Sequence, residues 1–345
     1  MRLKHAGRVS LILLLCAGCI IAPAAPAAPM TPLPSAAPLA TFIPLPSLTP
    51  PPTPSPSPQP TITRAPLAAR VLIITIDGLR ADALYRVSMP VLAGLMQSGA
   101  SSLSAQTLLP SATLMAHASI ISASCMAKHA ITWNDYRPEL GETHAVTLFD
   151  LVHAAGGRTV MVVGKEKLIQ IVHHGTADVF AYVAGHDRDV AARAVSEMSQ
   201  GFEAMLVHLP VVDGVGHTFG WMSPQQISVI ERADAAVGTL LEGLAANGLS
   251  QSTLIILTAD HGGHAFTHGS DAPEDTTVPW IMAGPGVLPA LRLASPISVM
   301  DTGATAAWAL GLVRPLEWDG RAVEEAFGIP LDIGAIPVAN ALCPP

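Results

Sequence analysis

The sequence predicts an α/β fold built on a central, mainly parallel β-sheet that is covered by helices on both faces. Apolar runs with the length and composition of buried strands occur at residues 71–76, 159–163, 204–208, 254–257 and 279–282. Helical patterns separate these runs, and such alternation is typical of parallel sheets. A (β/α)₈ barrel is the alternative architecture, because the chain is also long enough for it.

The helices are predicted from apolar spacing and from their start signals. Helical patterns occupy residues 89–97, 114–121, 146–155, 189–199, 227–244 and 301–310. The long helix at 227–244 follows Ser223-Pro224-Gln225-Gln226, which combines a capping box with proline at the first helical position. We therefore expect one large folded domain over residues 68–345.

The N-terminus carries the pattern of an export signal. Residues 1–22 combine Arg2, Lys4 and Arg8 with an apolar run shorter than the ~20 residues that a membrane span requires. The residues around Cys19 resemble a bacterial lipoprotein cleavage site with Cys19 as the lipidated residue. Cleavage near residues 25–28 and an uncleaved anchor are the alternatives. An extracytoplasmic protein is expected, either attached to the membrane through an N-terminal lipid or anchor, or secreted.

Residues 23–67 are predicted to form a proline-rich, disordered stalk. Sixteen of the 31 prolines fall between residues 21 and 66, and no charged residue occurs between Arg8 and Arg64. Proline cannot donate a backbone hydrogen bond, so this composition favours extended polyproline II over helix or sheet.

The charge of the chain excludes one class of function. Loss of residues 1–18 removes three of the 18 basic residues and no acidic residue, so the net charge changes from −8 to −11. This is the wrong sign for binding a nucleic-acid polymer. Of the four cysteines, only Cys125 and Cys343 fall in the predicted domain. An exported protein permits one disulfide, but the sequence leaves the pairing open.

Acidic residues and histidines follow three predicted strands. Asp77 directly follows the strand at 71–76, a short loop separates Asp213 and His217 from the strand at 204–208, and Asp260 and His261 follow the strand at 254–257. The carboxyl ends of parallel strands share one edge of the sheet, where ligands bind. Imidazole and carboxylate groups suit Zn²⁺ or Mn²⁺, so the pattern predicts ligands for two metal ions.

His264 and His268 add imidazoles to the third of these stretches. Their spacing with His261 is also that of one helix face, but glycines at 262, 263 and 269 each disfavour a helix by roughly 1 kcal/mol. A strand that ends in a glycine-rich turn fits the stretch better.

A hydroxyl side chain is predicted near a helix N-terminus. A loop ends and an apolar helix begins within residues 109–117, which places Ser111 or Thr113 in the first turn. An N-cap role is one interpretation. Beside two metal ions, such a hydroxyl can instead attack phosphorus, and the helix dipole favours the resulting anion.

Taken in order, four motifs resemble those of the alkaline phosphatase superfamily: Ile-Asp-Gly-Leu-Arg, Pro-Ser-Ala-Thr-Leu, Asp-Gly-Val-Gly-His and Thr-Ala-Asp-His-Gly-Gly. They look closest to its type I phosphodiesterase/nucleotide pyrophosphatase-like branch, and the resemblance extends from about residue 71 to residue 321. It implies an alkaline phosphatase-like α/β/α sandwich with a central, mostly parallel sheet. The sulfatase branch is disfavoured because its nucleophile motif is absent.

The resemblance also implies roles for individual residues. It assigns Asp77, Thr113, Asp260 and His261 to a first metal site, with Thr113 as nucleophile, and Asp213, His217 and His268 to a second. His264 is the alternative to His268 and otherwise lies beside the ligands, and His117 is expected to pack behind them. Asn134 matches the asparagine that steadies phosphoryl oxygens, in a segment where Ala130 replaces the usual glycine.

The reaction implied is phosphoryl transfer through a phosphothreonine, with two divalent ions, Zn²⁺ in preference to Mn²⁺. Lys165 and Lys167 resemble the phosphate-contacting pair of monoesterase and phosphonoacetate hydrolase branches, although two surface lysines at a helix start are an alternative. We therefore favour a small phosphate monoester or phosphonate as substrate. A phosphodiesterase or nucleotide pyrophosphatase is the first alternative, and a non-catalytic, metal-binding surface domain is the second.

Overall fold

The computed structural model describes residues 65–331 and Cys343. The predicted signal peptide, Cys19 and the predicted stalk up to residue 64 lie outside the described residues. Within the described part of the chain, no helix is both long enough and apolar enough to cross a membrane.

The described chain alternates strands with helices. The strands are β1 Arg70–Ile76, β2 Ala100–Gln106, β3 Thr159–Val163, β4 Val179–Tyr182, β5 Ala204–Leu209, β6 Thr253–Thr258, β7 Thr277–Ala283 and β8 Leu291–Arg292. The helices are α1 Pro90–Ser98, α2 Thr113–Ser122, α3 Met126–His129, α4 Leu148–Ala154, α5 Asp187–Met198, α6 Val211–Phe219, α7 Pro224–Ala246, α8 Pro273–Thr276 and α9 Asp301–Ala309. Short 3₁₀ segments lie at Ala81–Tyr85, Pro138–Leu140, Glu166–Ile171, Ser250–Ser252 and Glu324–Phe327.

The strands form one open sheet in the order β4-β3-β5-β1-β6-β7-β2-β8. Neighbouring strands are parallel except where β7 pairs with β6 and with β2. The prediction of a mostly parallel α/β sheet is therefore confirmed. The barrel alternative is wrong, because the sheet is open, with β4 at one edge and β8 at the other.

The helices divide into two groups by their contacts. Helices α1, α5 and α6 pack against α7, whereas α2 and α4 pack against α9. Strands β3, β5 and β6 are buried along their whole length, and β1 is buried beyond its first residue. Continuous apolar runs are what a strand covered on both faces requires.

Three strands, β2, β4 and β8, and three helices, α3, α6 and α8, were not predicted. Strand β2 reads Ala-Ser-Ser-Leu-Ser-Ala-Gln. Its serines interrupt the apolar pattern that predicts a buried strand, although the segment pairs with β7. Strands β4 and β8 are short and lie at the two edges of the sheet. The segment after β5 was predicted as a loop, but it forms α6, in which Asp213 and His217 occupy neighbouring turns.

Side-chain contacts show how α7 begins and how Cys125 and Cys343 are paired. Ser223 caps α7 by accepting a hydrogen bond from the backbone of Gln226. The Gln226 side chain bonds to the backbone of Met222 instead of Ser223, so only half of the predicted capping box forms. Cys125, the N-cap residue of α3, forms a disulfide with Cys343, and their Cα atoms are 5.4 Å apart.

Candidate active site

The predicted acidic residues meet at the carboxyl ends of three adjacent central strands, β5, β1 and β6. Asp77 follows β1, Asp213 lies in the first turn of α6 after β5, and Asp260 and His261 follow β6. All three carboxylate residues are buried. Parallel register places these strand ends side by side, which brings together residues that are far apart in sequence.

A first cluster forms around the Nε2 atom of His261. This atom lies 3.4 Å from Asp77 Oδ1, 3.4 Å from Asp260 Oδ2 and 3.4 Å from Thr113 Oγ1. Asp77, Asp260 and His261 are fully buried. Their ligand atoms are close enough together to hold one metal ion.

A second cluster forms around Asp213. Its Oδ1 atom lies 3.3 Å from His217 Nε2 and 3.6 Å from His268 Nε2. The His268 ring stacks on the His261 ring with their centroids 3.7 Å apart, so His261 also borders this second group. The two clusters are therefore adjacent, and His261 contacts both.

The three clustered histidines share one hydrogen-bonding pattern. The Nδ1 atoms of His217, His261 and His268 face the backbone oxygens of Phe266, Gly262 and Ser111 at 2.7–2.9 Å. A carbonyl oxygen only accepts hydrogen bonds, so in each neutral ring Nδ1 carries the proton. The Nε2 lone pairs are then directed at the carboxylates, as a metal ligand requires.

The two oxygens of each clustered carboxylate have different surroundings. Among the described residues, Asp77 Oδ1, Asp213 Oδ1 and Asp260 Oδ2 are buried oxygens with no hydrogen-bond partner. The other oxygen of each group is bonded to protein: Asp77 to His208, Asp213 to Lys165 and Asp260 to the Gly78 backbone. Buried carboxylate oxygens without partners are costly, so their convergence on imidazole nitrogens fits two divalent cations.

Lys165 joins the two clusters. Its ammonium group lies 2.7 Å from Asp77 Oδ2 and 2.7 Å from Asp213 Oδ2. Burial alone would lower the pKa of Lys165, but the carboxylates of Asp77 and Asp213 outweigh it and raise the pKa. Burial would likewise lower the pKa of His261, and the neighbouring carboxylates raise it. The electrostatics of the site therefore favour positive charge.

The structure distinguishes the two candidate hydroxyls. Thr113 is the first residue of α2, whose N-cap Ala112 provides no capping side chain, and its Oγ1 is 3.3 Å from Lys165 Nζ. Ser111 instead donates to the Ser270 backbone and accepts from the Gly269 backbone. Thr113 therefore faces both clusters at a helix N-terminus, whereas Ser111 holds the loop that carries His268.

Asn134 and Lys167 lie beside this helix start. The backbone N–H of Leu114 and the ammonium of Lys167 both donate to Asn134 Oδ1, at 2.9 and 2.8 Å. These contacts fix the amide and bring both side chains to the site, so the lysine pair is not a surface feature. Ala130, where the family pattern has glycine, adopts a left-handed backbone conformation with φ of 61°.

Two further predicted histidines lie outside the clusters. His264 is partly exposed, and its Nδ1 contacts Asp275 Oδ1 at 2.7 Å. His117 is buried behind the first cluster, 2.9 Å from Thr75 Oγ1 and 3.5 Å from Asp260 Oδ2. Burial lowers the pKa of His117 to about 4. His117 thus contacts Asp260 from behind the first cluster, whereas the His264 ring contacts Asp275.

The sequence interpretation missed two residues that contact the site. Trp221 donates to the Gly78 backbone and packs edge-on against His217. A side chain at position 263 would collide with this indole, which explains that glycine. His208 bonds to Asp77, and its presence as the one imidazole in the apolar run Ala-Met-Leu-Val-His-Leu was a signal that was available in the sequence.

Comparison with solved structures defines the class of protein. The fold is similar to that of murine ectonucleotide pyrophosphatase/phosphodiesterase 5, solved as an inactive threonine-to-alanine variant in complex with AMP. The TM-score is 0.65 at 15% identity, over 74% of this chain and 98% of the murine chain. The fold and the ordered motifs together place the protein in the alkaline phosphatase superfamily.

Comparison of sequences narrows this class to a family. The sequence profile described as type I phosphodiesterase / nucleotide pyrophosphatase matches residues 71–271, and the chain belongs to this family. A pyrophosphatase/phosphodiesterase of Schizosaccharomyces pombe, itself uncharacterised, is 26% identical over an alignment of 216 residues that covers 56% of this chain and 44% of the yeast protein.

A shorter similarity links the chain to an alkaline phosphatase of a Sphingomonas species. The two are 35% identical over an alignment of 88 residues that covers 24% of this chain and 14% of the phosphatase. The chain thus spans less than half the length of these curated relatives.

Proposed function

We propose that this protein is a metal-dependent phosphohydrolase that acts through a phosphothreonine formed on Thr113. The observation that carries the proposal is the position of Thr113 Oγ1, which lies 3.4 Å from His261 in the first cluster. It also lies 3.3 Å from Lys165, whose ammonium group reaches Asp213 in the second. Membership of a phosphodiesterase family supports hydrolysis of phosphoric esters, and the inactive threonine-to-alanine variant of the murine relative supports a threonine nucleophile.

The residues present fit two divalent metal ions. Asp77, Asp260 and His261, together with Thr113, would hold the first ion, and Asp213, His217 and His268 would hold the second. Zn²⁺ is our proposed metal, because mixed imidazole and carboxylate ligands suit it. When bound, such ions supply positive charge that activates a hydroxyl and stabilises phosphoryl oxygens.

The protein side chains account for the remaining steps. Thr113 gives up its hydroxyl proton, and its Oγ forms the new bond to phosphorus while the bond to the leaving group breaks and the leaving group takes up a proton. The N-terminus of α2 favours the anionic phosphoryl group. Asn134 and Lys167, held together at 2.8 Å, orient the phosphoryl oxygens. Water then cleaves the phosphothreonine, which releases the product and restores the hydroxyl of Thr113.

Charge around the nucleophile favours a phosphate monoester or phosphonate substrate. A monoester dianion carries more negative charge than a diester, and Lys165 and Lys167 add two cations beside the candidate metal centres. The similarity to an alkaline phosphatase is in line with this preference. A phosphodiester substrate is the second candidate, and the family match and the AMP complex of the murine relative favour it.

Replacing the proposed nucleophile is the first test. Thr113→Ala should lower turnover by about 10³-fold or more, because the covalent step is lost. Elemental analysis should still find two metal equivalents per chain. Thr113→Ser is the matched control, since it keeps a hydroxyl. Full activity in Thr113→Ala would refute the nucleophile assignment.

Substrate preference is tested with p-nitrophenyl phosphate and bis-p-nitrophenyl phosphate. We expect faster hydrolysis of the monoester, loss of hydrolysis on treatment with EDTA, and recovery with Zn²⁺. Lys165→Ala should reduce the monoester rate more than the diester rate. A diester preference that survives Lys165→Ala would contradict the monoester proposal, and two bound metals without hydrolysis of any substrate would favour the non-catalytic alternative.

A further inference from the structure

His208 is a fully buried histidine in the centre of the sheet, behind the first cluster. It lies in β5, where it is aligned with Thr75 of β1 on one side and with Val163 of β3 on the other. Every other residue of β5 is apolar. Buried polar groups in protein interiors are hydrogen-bonded, so both ring nitrogens of His208 require partners.

The two ring nitrogens have different partners. Nδ1 accepts a hydrogen bond from the backbone N–H of Gly164 at 3.2 Å, which the same N–H shares with the backbone oxygen of His208, also at 3.2 Å. Nε2 lies 2.8 Å from Asp77 Oδ2. An N–H group can only donate, so Nδ1 must be unprotonated and the ring proton lies on Nε2. His208 therefore donates to the carboxylate of Asp77.

This proton placement is the reverse of that in the clustered histidines. His217, His261 and His268 place the proton on Nδ1 and direct the Nε2 lone pair towards the site. The Gly164 backbone imposes the opposite tautomer on His208. Glycine is needed at position 164 because a side chain there would collide with the ring of Pro210.

The contact with His208 determines which oxygen of Asp77 faces the cluster. Asp77 Oδ2 receives Nε2 of His208 at 2.8 Å and the ammonium of Lys165 at 2.7 Å. Asp77 Oδ1 has no hydrogen-bond partner among the described residues and lies 3.4 Å from His261 Nε2. One oxygen is thus occupied by protein donors, and the other is directed at the candidate metal centre.

We propose that His208 is a positioning residue that orients the Asp77 carboxylate for the first metal ion, through a tautomer set by the Gly164 backbone. The inference rests on the proposed function, because it takes Asp77 to be a metal ligand. Partners of metal ligands typically contribute 10–100-fold to metal affinity.

Two substitutions separate the two hydrogen bonds of His208. In His208→Gln, the amide nitrogen reaches the position of Nε2 and keeps a donor for Asp77. In His208→Asn, the shorter side chain keeps an acceptor for Gly164 and loses the donor. Zn²⁺ affinity is measured by competition with a chromophoric chelator, and the first site is identified as the one lost in Asp260→Ala.

We expect His208→Asn to weaken Zn²⁺ binding at the first site by about 10–100-fold. His208→Gln should stay within a few-fold of the wild type, and the second site should change little in either variant. Equal first-site affinities in the wild type and both variants would overturn the proposal. Equal losses at both sites in both variants would also overturn it, since they would indicate a merely structural role.

Histidine NMR on the metal-free wild type tests the tautomer directly. Long-range ¹H–¹⁵N spectra should show a protonated Nε2 and an unprotonated Nδ1 for the signal that disappears in His208→Gln. A protonated Nδ1 would refute the proposed hydrogen bonds. If the wild type binds no divalent metal, the proposed function fails, and this measurement still decides whether His208 donates to Asp77.

Discussion

The carboxylate of Asp187 is enclosed at the start of α5, where the residue is only 4% exposed. Its Oδ1 accepts a hydrogen bond from the backbone N–H of Val211, the first residue of the helix that carries Asp213. Burial raises the pKa of Asp187 from 3.8 to about 6, against the opposing effect of the Val211 bond. The folded protein therefore holds this proton more tightly than the unfolded chain does.

Asp187→Asn keeps an oxygen that can accept from Val211 and removes the ionisation. A pKa that is higher by about two in the folded state corresponds to about 3 kcal/mol. Since folding favours the protonated acid, the wild type bears this penalty in full above about pH 6 and loses it as the pH falls towards 3.8. The stability advantage of the variant over the wild type should therefore grow by about 2.5 kcal/mol from pH 4 to pH 8, because a small part of the penalty is already present at pH 4.

Urea unfolding followed by tryptophan fluorescence at several pH values, with EDTA present throughout, measures this difference. Asp189→Asn is the matched control, because that carboxylate lies two residues further along the same helix and its side chain is 48% exposed. A stability difference between Asp187→Asn and the wild type that does not change between pH 4 and pH 8 would refute the reasoning.

Three further sets of substitutions test the site and the disulfide. Lys165→Met leaves two buried carboxylates without their shared cation, so the unfolding free energy of EDTA-treated protein should fall by about 3–5 kcal/mol, and an unchanged urea midpoint would contradict this. His268→Ala should reduce bound Zn²⁺ from two equivalents to one, whereas His264→Ala should keep two; the opposite result in elemental analysis would exchange their roles. Cys343→Ser opens a disulfide that joins residues 218 positions apart, so the free energy of unfolding, measured by thermal unfolding, should fall by about 2–5 kcal/mol. Cys125→Ser should lower it by the same amount.

The parts of the fold that were predicted correctly are those with strong local patterns. The five predicted strands are all present, because a strand buried on both faces needs a continuous apolar run. Strand β2 was not predicted because its three serines interrupt the apolar pattern; Ser101 and Ser102 are buried where the strand pairs with β7, a contact between segments about 180 residues apart. Helix α6 escaped because Gly214 and Gly216 weaken its helical pattern.

The candidate ligands could be read from sequence for a similar reason. Asp77, Asp213 and Asp260 each follow a strand closely, so the parallel sheet brings them to one edge. The choice between Ser111 and Thr113 could not be made in the same way. It depends on the loop at residues 268–270, which bonds to Ser111 and leaves Thr113 facing the clusters.

The class of fold, the strand ends and the chemical types of the ligands could therefore be read from local patterns, because each depends on residues close together in the chain. Which atoms converge depends on how the distant segments pack. This packing places Lys165 between Asp77 and Asp213, joins Cys125 to Cys343, and turns one oxygen of Asp77 towards the cluster through His208. Hydrogen bonds and ion pairs act over a few ångströms, so they depend on packing between distant segments, which local sequence patterns do not encode.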